Sequence, residues 1–148
     1  WFPDAAVHAT DISEDALDVA RLNARRLGVD ITFHRGDLFA ALPDDLRGRV
    51  DLLVSNPPYV AEHEWRLLPP DVRREPRPAL IAGPRGTEVL ERIATGASEW
   101  LAPGGLVACE IGETQGEAVR EAFAVLGDAR IRPDLAGCDR YVVVRYER

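Results

Sequence analysis

Apolar positions in the first third of the chain switch between strand-like and helical spacing. Residues 7–12 read as a short strand, and Ser13 follows as a helix N-cap with acidic residues in the first turn. Apolar residues then recur at helical spacing until Gly28, which is typical of a helix C-terminus. Residues 31–35 alternate as a strand does, and residues 50–55 form the mostly apolar run of a buried parallel strand.

A proline-rich segment divides the rest of the chain. Seven of the eleven prolines lie between Pro57 and Pro84, so we expect a long functional loop or lid there, without sustained regular structure. A turn at residues 103–105 and a loop around Gly137 separate the elements that follow. The spacing predicts helices over residues 87–101 and 115–126 and strands over residues 106–111, 130–132 and 141–146. This order of elements predicts an α/β fold with a mostly parallel sheet and a C-terminal antiparallel hairpin.

Composition and charge narrow the class of protein. The 148 residues are 46% hydrophobic and 29% charged, which is ordinary for one soluble globular domain, here residues 1–148. The formal net charge of −7 argues against direct binding of nucleic acid or of an anionic membrane surface. No apolar run approaches the roughly 18 residues that cross a bilayer. We therefore expect a cytoplasmic protein with no membrane partner.

Metal and thiol chemistry have little support in the sequence. Cys109 and Cys138 form no C-x-x-C pair, and His8, His34 and His63 are scattered without ligand spacing. We expect no metal site and a reducing compartment.

The most informative stretch is Ser55-Asn56-Pro57-Pro58-Tyr59, which follows a predicted buried strand. A primary amide or exocyclic amine is a poor nucleophile because its nitrogen lone pair is delocalised. The side-chain carbonyl of Asn56 and the main-chain carbonyl of Pro57 can each accept one N–H of such a group and orient its nitrogen. Adjacent prolines fix two φ angles, and the Tyr59 ring can stack on a planar amide or base. We interpret the stretch as an alkylation site; the alternative is a turn that merely ends the strand.

Two carboxylates follow the first two predicted strands. In open α/β sheets, ligands bind beyond the carboxyl ends of strands. Asp11 can accept hydrogen bonds from a ribose diol, or it can simply help Ser13 to start the helix. Asp37 and Leu38 offer a carboxylate and an apolar contact to an adenine ring, with a plain turn as the alternative. A nucleoside-containing ligand is the functional interpretation.

Five segments together resemble the HemK/PrmC peptide chain release factor glutamine methyltransferases, over nearly the whole chain. They are Ala9-Thr10-Asp11-Ile12-Ser13, Gly36-Asp37-Leu38-Phe39, Val54-Ser55-Asn56-Pro57-Pro58-Tyr59, Glu75-Pro76-Arg77 with Ala79-Leu80, and Glu110-Ile111-Gly112 with Gln115-Gly116. The Asn-Pro-Pro-Tyr string is shared with amino-group DNA methyltransferases. The Glu-Pro-Arg segment and Gly137-Cys138-Asp139-Arg140 point to the protein-glutamine branch, although Cys138 replaces an expected charged or polar residue.

The resemblance implies a Rossmann-like class I methyltransferase fold. It also implies methyl transfer from S-adenosylmethionine to N5 of the glutamine in the Gly-Gly-Gln motif of a peptide chain release factor. In that role Asp11 holds the ribose, Asn56 and Pro57 bind the glutamine amide, and Tyr59 packs on it. The implied cofactor-binding residues are Asp11, Ile12, Asp37, Leu38 and Asn56; the catalytic residues are Asn56, Pro57 and Tyr59; the substrate-binding residues are Asn56, Pro57, Pro58, Tyr59, Glu75 and Arg77.

The resemblance also implies features that this sequence does not contain. The family has a glycine-rich loop after a first strand and a helical domain before it. In the family's sheet order, 3-2-1-4-5-7-6, that strand lies between the two halves of this chain, whose edges would otherwise stay unpaired. The sequence has no methionine and opens on Trp1-Phe2-Pro3. We therefore expect it to be the C-terminal portion of a catalytic domain, or to be completed by a partner.

Two other functions stay open. An adenine N6 DNA methyltransferase needs a basic DNA-reading face, which the acidic chain does not show. A non-catalytic module would keep the fold without the glycine-rich loop. Residues 60–85 carry five arginines against four acids, which indicates either a solvated loop or a surface for a partner protein or a phosphate chain.

Overall fold

The computed structural model describes residues 4–148, so the opening Trp1-Phe2-Pro3 lies outside the described residues. The chain divides after Leu46 into two compact units. The strands are β1 (His8–Asp11), β2 (Thr32–Arg35), β3 (Val50–Ser55), β4 (Val60–Ala61), β5 (Ile81–Gly83), β6 (Leu101–Glu110), β7 (Arg130–Pro133) and β8 (Asp139–Arg145). The helices are α1 (Glu14–Leu27), α2 (Arg77–Leu80), α3 (Glu88–Ala97) and α4 (Gly116–Phe123). That the whole sequence is a single domain stays a prediction.

The first unit is a parallel strand pair with one helix. β1 and β2 pair over their full length, and α1 connects them. The Ser13 Oγ accepts a 3.2 Å hydrogen bond from the Ala16 N–H, and Gly28 ends the helix with a φ of 65°. Leu17 and Ala24 are the buried residues of α1. The predicted helix and both of its caps are therefore confirmed.

The second unit contains a four-stranded sheet in the order β3-β6-β8-β7. β3 and β6 run parallel, whereas β8 runs antiparallel to both β6 and β7. α3 packs on α4, and α4 packs on β7 and β8. The largest fully buried side chains include Leu90, Ile93, Val107, Val119, Phe123 and Val142. The predicted parallel strands and the C-terminal antiparallel hairpin are both present.

α3 ends at Ala97, before the predicted end at residue 101, and β6 begins earlier than predicted. The carbonyl of Trp100 accepts a 2.9 Å hydrogen bond from the Val50 N–H, at the start of β3. Because that carbonyl is taken by a strand, the chain cannot continue as a helix and joins the sheet instead. The pairing of β3 with β6 then shifts register across residues 103–105, where the sequence predicts a turn.

The proline-rich segment has more regular structure than predicted. β4 and β5 pair in parallel, and 3₁₀ helices span Glu62–Leu67 and Val72–Arg74. Pro76 is the N-cap of α2 and Pro78 lies in its first turn, where a missing N–H costs no helical hydrogen bond. The prediction that regular structure is not sustained here is confirmed in part, because short helices and strands are present but none of them is longer than 6 residues. A lid function of the segment stays a prediction.

Within residues 4–148, β1 pairs only with β2, and β3 only with β6. None of the helices in this described part is both long and apolar enough to cross a membrane.

Candidate active site

The candidate site in the second unit is the segment Asn56, Pro57, Pro58 and Tyr59, which we call the Asn56–Tyr59 corner. It follows directly on β3, whose last residue, Ser55, lies opposite Cys109 of β6. Asn56 is exposed, Pro57 is buried, and Pro58 and Tyr59 are half-buried. The corner thus stands at the carboxyl end of a parallel strand, where ligands bind in α/β sheets.

The two acceptor oxygens predicted at the corner have no hydrogen-bond partner in the described part of the chain. Among residues 4–148, no hydrogen bond engages the side-chain amide of Asn56, and no backbone hydrogen bond ends on the carbonyl of Pro57. Pro57 and Pro58 also have no N–H with which to occupy neighbouring acceptors. The corner therefore has two acceptors that no hydrogen bond among the described residues occupies, one on the exposed side chain of Asn56 and one on the main chain of the buried Pro57.

Tyr59 is fixed at its hydroxyl group. The Tyr59 Oη donates a 2.9 Å hydrogen bond to the Glu110 Oε1, at the end of β6. Partial burial and the Glu110 carboxylate raise the pKa of Tyr59 above its usual 10.0, while the nearby Arg140 guanidinium opposes the shift. The hydroxyl is therefore protonated and donating at neutral pH, and the ring is held beside the corner.

Gln115 holds the main chain of the same tyrosine. Its Nε2 donates to the carbonyl of Tyr59 at 2.8 Å and to the carbonyl of Gly86 at 3.2 Å. Its Oε1 accepts a 2.9 Å hydrogen bond from the Gly112 N–H. The sequence indicated Gln115 only as part of a family motif, because two of its partners lie 56 and 29 residues away along the chain.

A cavity of about 250 Å³ lies beside Tyr59. Its lining combines apolar and charged side chains: Tyr59, Val60, Glu64, Leu67, Leu68, Gly112, Glu113, Thr114, Gln115 and Arg140. Two hydrogen bonds from Arg140 to Asp134 Oδ2, at 3.1 and 3.2 Å, fix the guanidinium and raise its pKa. The cavity is smaller than the roughly 300 Å³ at which small-molecule pockets begin.

Glu75 and Arg77 are the two predicted substrate-binding residues outside the corner. Both side chains are exposed, and the Arg77 guanidinium lies 5.6 Å from the centre of the Trp65 ring. Within residues 4–148, neither has a hydrogen bond or ion pair with the Asn56–Tyr59 corner. Their role in substrate binding stays a prediction.

The predicted cofactor residues of the first unit lie together at the ends of β1 and β2. The Gly36 N–H donates a 2.9 Å hydrogen bond to the Asp11 carbonyl, which places Asp37 beside the end of β1. Asp11 Oδ1 accepts a 2.8 Å hydrogen bond from the Ser13 N–H, while Oδ2 has no partner among the described residues. Asp11 therefore helps to start α1, and its role in binding a ligand stays a prediction. Ile12, next to it, is also exposed.

Leu38 has an unusual backbone conformation. Its φ of 47° is the only positive value at a residue other than glycine in the part of the chain that the structure describes. A side chain in this left-handed region costs about 1 kcal/mol, and such strain is concentrated at functional sites. Leu38 is half-buried and follows the exposed Asp37.

The structure joins two histidines that the sequence left apart. His8 Nδ1 and His34 Nε2 are 2.9 Å apart, and the stacked rings have centres 5.2 Å apart. Among residues 4–148, there is no cluster of three or more metal-ligating side chains. The pair contributes a cross-strand contact between β1 and β2.

Sequence comparison relates the chain to protein-glutamine methyltransferases. Residues 2–68 match the family profile described as Methyltransferase small domain. The release factor glutamine methyltransferase of Moorella thermoacetica is 46% identical, over 95% of this chain and 50% of that protein. The ribosomal protein uL3 glutamine methyltransferase of Bradyrhizobium diazoefficiens is 47% identical, over 84% of this chain and 39% of that protein. The chain thus spans about half the length, or less, of the curated relatives it matches.

Structural comparison confirms the predicted class I methyltransferase fold. A methyltransferase from Pyrococcus furiosus aligns with a TM-score of 0.66 and 18% identity, over 97% of this chain and 64% of that one. The release-factor-specific protein-(glutamine-N5) methyltransferase from Alicyclobacillus acidocaldarius aligns with a TM-score of 0.50 and 25% identity, over 97% and 81% of the two chains.

Proposed function

We propose that this chain takes part in methyl transfer to the side-chain amide of a protein glutamine. The chain belongs to the family of release factor glutamine methyltransferases. The observation that carries the proposal is a pair of acceptors at the end of β3, Asn56 Oδ1 and the Pro57 carbonyl, which have no hydrogen-bond partner among residues 4–148. We further propose that residues 1–148 are part of the catalytic domain and that it acts in the cytoplasm.

Asn56 and Pro57 address the weak nucleophilicity of a carboxamide. Each acceptor takes one N–H of the substrate amide, so the nitrogen is fixed and its lone pair is left to point toward the electrophilic methyl group. Because the prolines restrict the backbone before the substrate arrives, little conformational entropy is lost on binding. Tyr59, held by Glu110, offers an aromatic face to the planar amide.

The first unit supplies residues that suit S-adenosylmethionine. Asp11 Oδ2, at the end of a strand, has no partner in the described chain and suits a ribose diol, and Leu38 offers an apolar contact to the adenine. Asp37 and Ile12 are exposed at the same strand ends. The bound cofactor would supply an electrophilic methyl group on a sulfonium: the S–C bond would break as the N–C bond forms, the neutral thioether would leave, and one amide proton would be released to solvent. The protein residues themselves bind and orient; none is required as a strong general base.

Two protein substrates are candidates. The resemblance to release factor enzymes supports the glutamine of a Gly-Gly-Gln motif, and the similarity to the Bradyrhizobium enzyme supports a glutamine of ribosomal protein uL3. Both substrates present the same carboxamide to Asn56 and Pro57. Incubating the full protein with each substrate in the presence of radiolabelled S-adenosylmethionine decides between them.

The test of the site uses the same assay with Asn56→Ala. We expect loss of at least about 10²-fold in methyl transfer, because one of two orienting acceptors is removed. Asn23→Ala, an exposed asparagine on α1, is the matched control and should keep full activity. Undiminished transfer by Asn56→Ala would overturn the assigned site.

A DNA methyltransferase and a non-catalytic module would each give a different result from a protein-glutamine methyltransferase. Transfer to an adenine-containing oligonucleotide, but to neither protein, would show a DNA methyltransferase. Absence of S-adenosylmethionine binding by calorimetry would show a non-catalytic module.

A further inference from the structure

Both the nitrogen and the oxygen of the Gln115 side-chain amide form hydrogen bonds within the protein. Its Nε2 makes two hydrogen bonds, to the carbonyls of Tyr59 and Gly86, and its Oε1 makes one, to the Gly112 N–H. The three partners come from three separate stretches of the chain. A half-buried amide with two donated and one accepted hydrogen bond has little freedom to rotate.

The Asn56–Tyr59 corner depends on hydrogen bonds from other segments, because three of its four residues contribute few of their own. Pro57 and Pro58 donate no hydrogen bond, and the side chain of Asn56 has no partner among the described residues. On one side the corner is fixed at Ser55, which pairs with β6. On the other side it is fixed at Tyr59, and there the main chain is held by Gln115.

We propose that Gln115 is a positioning residue for methyl transfer: its amide fixes the Tyr59 carbonyl and thereby sets the direction of the Asn56 and Pro57 acceptors. This inference rests on the proposed function of those two acceptors. Gln115 itself does not touch the substrate in this scheme. Its contribution is to keep two oxygens aimed at one amide group.

Two glycines allow the Gln115 amide to approach the backbone. A Cβ at Gly86 would lie 2.7 Å from the Tyr59 carbonyl oxygen and 2.9 Å from Gln115 Nε2. A Cβ at Gly112 would lie 3.1 Å from both Cδ and Oε1 of Gln115. All four distances are shorter than ordinary carbon contacts, so the amide fits this closely because these positions have no side chain.

The experiment compares two substitutions of Gln115 in the full protein. Gln115→Leu keeps the approximate size and removes all three hydrogen bonds. Gln115→Glu keeps an acceptor for the Gly112 N–H but turns a second oxygen toward the two carbonyls. Glu117→Gln, an exposed residue on α4, is the control and should behave as the unchanged protein.

We expect kcat for methyl transfer to fall on the order of 10- to 100-fold in Gln115→Leu, while the KM for S-adenosylmethionine stays unchanged. Gln115→Glu should recover part of this loss as the pH is lowered, because a protonated carboxyl again donates to the Tyr59 carbonyl. Activity relative to the unchanged protein at each pH shows this recovery, which Gln115→Leu should lack. A residue with a merely structural role would produce neither the selective loss of kcat nor the recovery.

Hydrogen–deuterium exchange over residues 56–61 tests the anchor without an activity measurement. Gln115→Leu should exchange faster there, at an unchanged rate in α1. If the unchanged protein methylates its substrate and Gln115→Leu does so equally well, this inference is wrong and the proposed function stands. If the unchanged protein methylates nothing, the proposed function fails, and with it the assignment of Gln115 to positioning; unchanged exchange in Gln115→Leu would overturn the anchor itself.

Discussion

The Tyr59 hydroxyl donates a 2.9 Å hydrogen bond to the Glu110 Oε1 and so joins the end of the Asn56–Tyr59 corner to the last residue of β6. β6 is the strand that pairs with β3, from which the corner starts. Both ends of the corner are therefore linked to the same strand, β6. Loss of the hydroxyl contact loosens one end and leaves the other unchanged.

Tyr59→Phe tests this contact. It removes the hydrogen bond but keeps the ring, so we expect about 1 kcal/mol less stability against unfolding and a decrease in kcat of less than about 10-fold. Tyr59→Ala also removes the aromatic face and should lose more activity than Tyr59→Phe. Urea unfolding and single-turnover methyl transfer measure the two effects. Equal activity of the two variants would show that the ring does not contact the amide.

The raised pKa of Tyr59 predicts a stability change at alkaline pH. Burial and Glu110 favour the protonated hydroxyl in the folded protein, so its pKa lies above 10.0 when folded. The resulting stabilisation is fully present below pH 10 and is lost as the pH rises through the folded pKa. The sequence has no lysine, so no lysine side chain contributes to the change in this range. The free energy of unfolding should fall more steeply above pH 10 in the unchanged protein than in Tyr59→Phe; equal slopes would contradict the shift.

Elements with a strong local pattern were predictable from the sequence. Val50–Ser55 is a mostly apolar run closed by Asn-Pro, and the structure has β3 at the same residues. α1 has both a serine N-cap and a glycine C-cap. The end of α3 was not predictable, because the Trp100 carbonyl is taken by Val50, 50 positions earlier in the chain. Helical spacing contains no information about such a contact.

The candidate site also contains residues whose role was predictable from the local sequence and residues whose role was not. The chemistry of Asn56 and Pro57 follows from their residue types, because an amide carbonyl and a proline-restricted backbone are local properties. The anchors of Tyr59 do not, since Glu110 and Gln115 lie 51 and 56 residues away. Only a family motif indicated these two positions, and it gave them no role.

The two cysteines should differ sharply in reactivity. Burial raises the pKa of the Cys109 thiol to about 12, whereas Cys138 is exposed. A thiol reacts through its thiolate, so Cys109 is inert at neutral pH. A chromogenic disulfide reagent at pH 8 should titrate one thiol in the folded protein and two after denaturation. Cys138→Ser should leave none reactive in the folded state; a rapidly reacting thiol in that variant would contradict the burial of Cys109.

Leu38→Asn separates backbone strain from cofactor contact. Asparagine tolerates the left-handed conformation better than leucine, so the φ of 47° should be kept and stability should change by less than about 1 kcal/mol. The apolar contact proposed for the adenine is lost, and we expect S-adenosylmethionine to bind roughly 5- to 10-fold more weakly. Calorimetry on the full protein measures this. Leu27→Asn, at an exposed position of α1, is the control. Unchanged affinity in Leu38→Asn would remove Leu38 from the cofactor site.

Alanine substitutions at two glycines with positive φ test how closely the Gln115 side chain is packed. Gly28 and Gly86 have φ values of 65° and 84°, so an alanine at either position costs about 1 kcal/mol from conformation alone. A Cβ at Gly28 meets nothing within 4 Å, whereas a Cβ at Gly86 would lie 2.7 Å from the Tyr59 carbonyl oxygen. Gly28→Ala should therefore lose about 1 kcal/mol of stability and keep its activity. Gly86→Ala should lose more stability and also reduce kcat, because the Tyr59 carbonyl and the Gln115 amide must move apart. Denaturant unfolding and methyl transfer of both variants measure the difference, and equal losses in the two would show that the contact around Gln115 is not tight.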